Sequence, residues 1–568
     1  MDFKSALADL LHGCVPELSA EEYQSFLEIP PNREMGDFAF PCFKLARVLR
    51  KAPPAIASGL KEQIEAGSVP GWISKIEVVG GYLNFFVNKV FFAKSVLDRI
   101  LEEDKDYGRT DLGHGRTVCL DYSSINITKP FHIGHLSSTV IGNSLYRIYN
   151  FLGYKSVGIN HLGDWGTQFG KLIVAYRMWG DKEEIEREGV RALLKIYVKF
   201  HDEAEKNPEL DEEARQWFVR IEQHDPYAME LFNWFREITL KEVQRIYELL
   251  DVHFDSYAGE SFYNDKLGSV IDELQEKGLL LESQGAKVVD LSDFNMPPCM
   301  ILKADGASLY ATRDIAAALY RKQTYDFAKC LYVVAYQQNL HFQQWFKVIE
   351  LMGYDWYRDL EHVAFGMVSL QDTTLSTRHG NVVFLDDVLQ RAIEKAAEIM
   401  QEKNPGLEDC EETAKQVGVG AVIFNTLFNS RIKDITFSFD RALNFDGETG
   451  PYVQYTHARI CSVLKKAEGN TGSAADCSSL TDEESQVLLT SLSHFPEVVI
   501  NAAQQNEPYL IVRYAVEVAQ AFNRFYYEHR ILCDDPTETD ARLAATYATK
   551  LVLQNALHLI GIAAPERM

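Results

Sequence analysis

Asp121-Tyr122-Ser123-Ser124-Ile125-Asn126-Ile127-Thr128-Lys129-Pro130-Phe131-His132-Ile133-Gly134-His135 is the stretch on which the reading of this chain turns. It leaves residues 117–122, whose β-branched and apolar side chains predict a strand, and enters a helix predicted from about Gly134 to Leu152. In parallel sheets ligands bind outside the carboxyl ends of strands, where a helix N-terminus attracts phosphate oxygens. His132 and His135 are three residues apart and so share one face of the first turn. Gly134 between them lets a nucleotide approach the backbone without meeting a Cβ. Two imidazole donors there suit the charge that develops on an α-phosphate under attack. With 15 His and 35 Gly in 568 residues, His-x-Gly-His arises by chance in about one such chain in forty. Its place at the first strand-to-helix crossing makes it more specific than the tetrapeptide alone.

Working outward, residues 155–160 predict a second strand and residues 167–178 a helix. Residues 329–336 and 362–368 read as buried strands with a helical pattern at 341–352 between them. Strands alternating with helices argue a parallel, doubly wound α/β sheet. The charged helical stretch 181–250 reads as an insertion into it. After about Val383 strands are not expected: helices follow one another, broken by the Gly- and Ser-rich loop 466–479. Toward the N-terminus, helical segments surround 76–87, two short strands about the turn Gly80-Gly81. The expected domains are 1–112, small and α+β; 113–385, the sheet domain; and 386–568, all-helical.

The formal net charge of −25 is mild evidence against nucleic-acid binding, although local basic patches can outweigh it. No run of about 18 uncharged apolar residues offers a membrane span. The acidic, amphipathic start lacks the features of a secretory signal. Nine cysteines without a C-x-x-C pair suggest free thiols in a reducing cytoplasm and no protein-bound metal.

The segment around His132 and His135 resembles the HIGH motif of class I aminoacyl-tRNA synthetases. After the last strand of the sheet, where that family carries Lys-Met-Ser-Lys-Ser, stand Phe365-Gly366-Met367-Val368 and then Thr374-Leu375-Ser376-Thr377-Arg378-His379. This resembles the degenerate Met-Ser-Thr-Arg form of arginyl-tRNA synthetases. Thr374 and Thr377 replace both motif lysines, so the positive charge that a leaving pyrophosphate needs must come from Arg378, His379 or, across the site, Lys129. The resemblance implies ATP binding by His132, Gly134, His135, Met367, Ser376, Thr377 and Arg378, with His132, His135 and Lys129 catalytic.

His161-Leu162-Gly163-Asp164-Trp165-Gly166-Thr167-Gln168-Phe169-Gly170 is similar to a ten-residue stretch particular to the arginyl enzymes. Its glycines predict a tight turn at a strand end, where the Trp165 ring and the Asp164 carboxylate would meet ligand. A guanidinium is recognised by planar carboxylates and an aromatic face. By resemblance Glu260, Tyr310, Asp314 and Gln338 supply these groups, while Ser124 and Asn126 hold the amino and carboxylate ends of the amino acid. Such a site would reject lysine by roughly 10⁴, which fits the lack of an evident editing domain. Residues 445–460 look like the entry to the family's anticodon-binding bundle, where Tyr452, Gln454, Tyr455, Asn523 and Tyr526 are expected to meet unstacked bases. Tyr82 and Asn84, at the Gly80-Gly81 turn, match residues that contact the tRNA elbow.

The resemblance thus implies a multidomain α/β protein: a Rossmann-type catalytic domain, an N-terminal α+β domain and a C-terminal helical anticodon-binding bundle. It implies a cytoplasmic monomer acting on L-arginine, tRNA(Arg) and ATP with Mg²⁺, and no membrane. Two rivals remain: a nucleotidylyltransferase using the same histidine turn without RNA, and an RNA-binding protein with a decayed ATP site. The helical region after 385 speaks against the first. Retention of His132, His135, Asn126, Glu260 and Asp314 speaks against the second.

Overall fold

The computed structural model describes residues 3–30, 32–304, 309–370, 383–404, 406 and 410–568. Met1–Tyr107, Arg459–Phe495 and Glu517–Val552 make one unit, and Gly108–Ala458, Pro496–Val516 and Leu553–Met568 make a second. In the first, β1 (Phe38–Pro41), β2 (Ile73–Val79) and β3 (Tyr82–Val87) form an antiparallel sheet in the order β1-β3-β2. The predicted hairpin about Gly80-Gly81 is β2–β3. Helices Phe3–Cys14 and Pro53–Ala66 bury apolar residues at four-residue spacing: Phe3, Leu7 and Leu11 on one, Ile56, Leu60 and Ile64 on the other.

The second unit holds β4 (Thr117–Asp121), β5 (Lys155–Ile159), β6 (Leu280–Ser283), β7 (Ala286–Val289), β8 (Cys299–Leu302), β9 (Lys329–Tyr332), β10 (Leu360–His362), β11 (Val368–Leu370) and β12 (Ile435–Phe437). Four of these form the parallel sheet β10-β9-β4-β5. Val118, Cys119 and Leu120 are fully buried, as a central parallel strand covered on both faces requires. The chain runs from β4 outward to β5 and then returns to the other side of β4 to lay down β9. The order therefore reverses between β4 and β9, where an open α/β sheet leaves its ligand crevice. Helix Leu136–Phe151 follows β4, helix Thr167–Trp179 follows β5 and helix Asn339–Leu351 follows β9.

Two expectations need correction. The predicted strand 362–368 is divided between β10 and β11, and strands do not disappear after Val383, because β12 pairs in parallel with β11. The antiparallel sheet β6-β7-β8 was also unforeseen. Residues 181–250 carry helices Lys182–Glu188, Val190–Ala204, Glu209–Glu222 and Pro226–Leu249. No helix among the described residues is long and apolar enough to cross a membrane.

Candidate active site

The loop leaving β4 is held in an uncommon backbone. Ser123 and Ser124 have φ of 67° and 41°, left-handed values rare for residues with a Cβ. Side chains over-determine that conformation. Ser123 Oγ lies 2.8 Å from both Thr139 Oγ1 and Tyr247 OH, while Ser138 Oγ accepts from Ser123 N at 2.9 Å. Ser124 Oγ donates to Asp121 Oδ1 at 2.6 Å. The other carboxylate oxygen of Asp121 pairs with Arg321 Nη2 at 2.7 Å, and both side chains are almost wholly buried. Asn126 folds its amide oxygen back onto Thr128, accepting from the backbone N at 3.0 Å and from Oγ1 at 2.7 Å.

Five residues beyond Thr128, Ile133–His135 forms a single 3₁₀ turn ahead of helix Leu136–Phe151. Side chains three apart eclipse in such a turn, and the rings of His132 and His135 stand 3.9 Å apart with their planes 31° from parallel. His132 Nδ1 accepts from Gly134 N at 3.1 Å, and His135 Nδ1 accepts from His132 N at 3.3 Å. Because both Nδ1 atoms accept, the proton of each neutral ring must sit on Nε2. Burial, with the charge of Lys129 beside it, lowers His132 to about 4. Burial, then His132 and Lys129, lowers His135 well below the ordinary histidine value. The turn therefore presents two neutral imidazole donors, with Lys129 close by as the fixed charge. A Cβ on Gly134 would fall 2.8 Å from the His132 ring, so this position must stay bare for the ring to hold its place.

Residues 383 and 384 return to this turn: Ile133 N donates to Val383 O at 3.2 Å, and His132 forms an antiparallel bridge with Phe384. Val383 and Phe384 therefore stand directly against the histidine turn. Ser376, Thr377 and Arg378, with Thr374 and His379, lie outside the described residues. Met367, immediately before β11, is exposed, and its N–H donates to Asp434 Oδ1 at 2.7 Å.

The second half of the site is acidic. Burial pushes the Glu260 carboxyl up to about 7, with Arg313 opposing the shift and Asp314 and Asp164 adding to it. Arg313 Nη1 donates to Glu260 O at 2.9 Å and to Asn264 Oδ1 at 2.5 Å. Tyr310, Arg313 and Asp314 lie in the first turns of helix Tyr310–Tyr325. Tyr310 is 68% exposed, and partial burial of its phenol, then the Glu260 carboxylate, raises that group. The Asp314 carboxylate is met by His341 at 2.6 Å. His161 joins the two halves: its imidazole is lowered by burial and feels Asp121, Asp314 and Asp164 together. Gln338 is exposed, on the one-turn helix Tyr336–Gln338 that follows β9.

Some expected contacts are absent. Asp164 is 1% exposed and does not face ligand; it accepts from Ser261 N and Oγ at 2.9 and 2.8 Å and pairs with Arg236 at 3.4 Å. It thereby ties down the segment carrying Glu260, and a Cβ on Gly259 would strike both Leu162 O (2.6 Å) and Asp164 Oδ1 (2.7 Å). Trp165 packs edge-on against Phe218 and Phe232 rather than offering a stacking face. Asn84 does not sit at the turn: it lies inside β3 opposite Ala39 and Glu77, 2% exposed, on the strand face opposite the core residues Leu83 and Phe85. Gln454 is fully buried, its amide nitrogen donating to Gln416 O at 3.2 Å and Ala563 O at 2.9 Å, and so is closed to bases.

Tyr82, on β3, is partly exposed and meets Phe43 edge-on. Tyr452 is half-buried and Tyr455 exposed on helix Gly450–Lys466. Asn523 accepts from Arg459 at 2.6 Å, and the Arg459 guanidinium lies 5.7 Å from the Tyr526 ring. Asp121, Arg313, Arg321 and His341 were not foreseen. The one signal in the sequence was an acidic residue closing a buried strand, Asp121.

Comparisons with known proteins agree with this geometry. Residues 96–439 match the family of class I tRNA synthetases (R), catalytic domain; residues 453–568 match the DALR anticodon binding domain, and residues 1–87 the arginyl tRNA synthetase N terminal domain. The histidine turn and parallel sheet are therefore those of a class I tRNA synthetase catalytic domain. Arginine–tRNA ligases of Alkaliphilus metalliredigens and Clostridioides difficile are each 56% identical to the chain, covering all of it and all of their own length. The arginyl-tRNA synthetase of Thermus thermophilus superposes with a TM-score of 0.75 at 25% identity, over 100% of this chain and 99% of its own. The chain belongs to the arginyl-tRNA synthetase family.

Proposed function

We propose that the chain esterifies tRNA(Arg) with L-arginine at the expense of ATP, and that its two half-sites divide the work. The reading rests above all on the neutral histidine pair at the switch point of the sheet, with a desolvated acidic cluster joined to it through His161. The arginine carboxylate attacks the α-phosphorus of ATP, which carries Mg²⁺ as part of the substrate, and pyrophosphate leaves. A hydroxyl of the terminal ribose then attacks the acyl carbon and AMP leaves. No protein nucleophile is needed: positioning and charge stabilisation suffice. The Nε2–H groups of His132 and His135 stabilise phosphate charge, with Lys129 and Arg378 on the pyrophosphate. Ser124 and Asn126 hold the amino-acid end; Glu260, Asp314, Tyr310 and Gln338 take the guanidinium. Tyr82, Tyr452, Tyr455, Asn523 and Tyr526 meet tRNA.

Activation follows tRNA binding, and the protein works as a cytoplasmic monomer. The test is pyrophosphate–ATP exchange with each of the twenty amino acids, with and without total tRNA. Exchange with arginine alone is expected, and only when tRNA is present. Arginine-dependent exchange without tRNA removes the tRNA-first order but keeps the enzyme; exchange with another amino acid removes the pocket assignment.

A further inference from the structure

We infer that His341 is a positioning residue for arginine, acting through Asp314 to fix the plane in which that carboxylate meets a guanidinium. The inference rests on the function proposed above. His341 stands near the start of helix Asn339–Leu351, three residues beyond Gln338, and reaches across to the first turns of helix Tyr310–Tyr325. Its Nε2 lies 2.6 Å from Asp314 Oδ2. A carboxylate oxygen only accepts, so Nε2 carries the proton. Among the described residues the Asp314 side chain makes no other hydrogen bond.

Both side chains are about one-quarter exposed, at 27% and 25%. A pair this accessible to water contributes little to folding, so its short, directed geometry calls for another explanation. The terminal torsion of an aspartate is broad, and without a partner its carboxylate plane turns freely. A guanidinium needs that plane fixed, because its two parallel N–H bonds require both oxygens to lie in register with the fork. An ammonium makes no such demand. Holding one oxygen through Nε2–H pre-orients the group before substrate arrives, in the way a partner behind a metal-binding side chain does. Phe342, edge-on to the imidazole at 5.7 Å, and the stacked Phe342–His362 rings behind it keep the histidine in place.

The test is steady-state aminoacylation by the full chain with total tRNA, comparing wild type, His341→Ala and His341→Gln. In His341→Ala the KM for arginine should rise about tenfold, as when other orienting partners are lost, while kcat and the KM for ATP hold. His341→Gln sets an amide N–H near the Nε2 position and should recover to within about threefold of wild type. An unchanged arginine KM in His341→Ala, an equal rise in the ATP KM, or a glutamine variant no better than alanine would each overturn the inference. A wild-type chain that forms no arginyl ester would instead bring down the proposed function itself.

Discussion

Glu260 is a carboxyl group held where water is scarce, and its acidity has consequences at ordinary pH. With its pKa at about 7 it is half protonated near neutrality. Below that value the neutral acid no longer attracts a guanidinium, whose own charge is constant throughout the range. The kcat/KM for arginine should therefore fall about tenfold per pH unit below about 7, since this ratio reports the free enzyme. Glu260→Gln should give a lower but flat profile; a wild-type profile that is flat down to pH 5.5 would rule the assignment out. Arg313 is the group opposing that shift, so Arg313→Gln should move the acid limb to higher pH. His132 should leave no limb of its own near pH 6.5, being neutral down to about pH 4. Its replacement by alanine removes one charge-stabilising donor and should cost about 10²-fold in the activation rate. His132, His135, Glu260, Tyr310 and Asp314 could be singled out from the sequence because each sits in a local motif. The role of His341 was not, since its partner lies 27 positions away and only the fold brings them together.

At the scale of elements, the 3₁₀ turn Ile133–His135 works as one piece. Two backbone N–H groups fix two imidazole tautomers, and the bare Gly134 leaves room for the His132 ring. Gly134→Ala would press a methyl group into that ring, displacing the imidazole and leaving the core untouched. Activation should fall by about 10²-fold, while the urea midpoint of unfolding stays near that of wild type. A large loss of stability would show instead that the turn is structural. The sequence made β4 and its following helix plain, because a buried parallel strand and an amphipathic helix differ in period. It concealed β11 and β12, three residues each, which become strands only by pairing across more than sixty positions. It concealed β6 for another reason: three of its four residues are exposed, and an edge strand of that kind carries no burial pattern.

At the scale of the whole chain, residues from its far end complete structure laid down much earlier. His457 Nδ1 donates to Pro565 O at 2.9 Å and Gln454 to Ala563 O, both side chains being fully buried. Ending the chain at Ile562 removes these acceptors, at roughly 1–3 kcal/mol each. The urea midpoint should drop accordingly, and an unchanged midpoint would show that water replaces the lost carbonyls at no cost. None of this was legible in the sequence, because each acceptor is a backbone carbonyl more than a hundred positions from its donor.

The interleaving of the two units also bears on how the protein is made. Met1–Tyr107 belongs with Arg459–Phe495 and Glu517–Val552, so its partners in the unit emerge from the ribosome some 350 residues after it. At about 5–20 residues per second that is a wait of roughly 20–70 s. Through that interval the nascent N-terminal sheet must stand on its own hydrophobic core, which Phe3, Leu7, Leu11, Ile56, Leu60, Leu83 and Phe85 supply from within the first 87 residues. An early, self-sufficient core spares the growing chain a long exposure to chaperones and proteases.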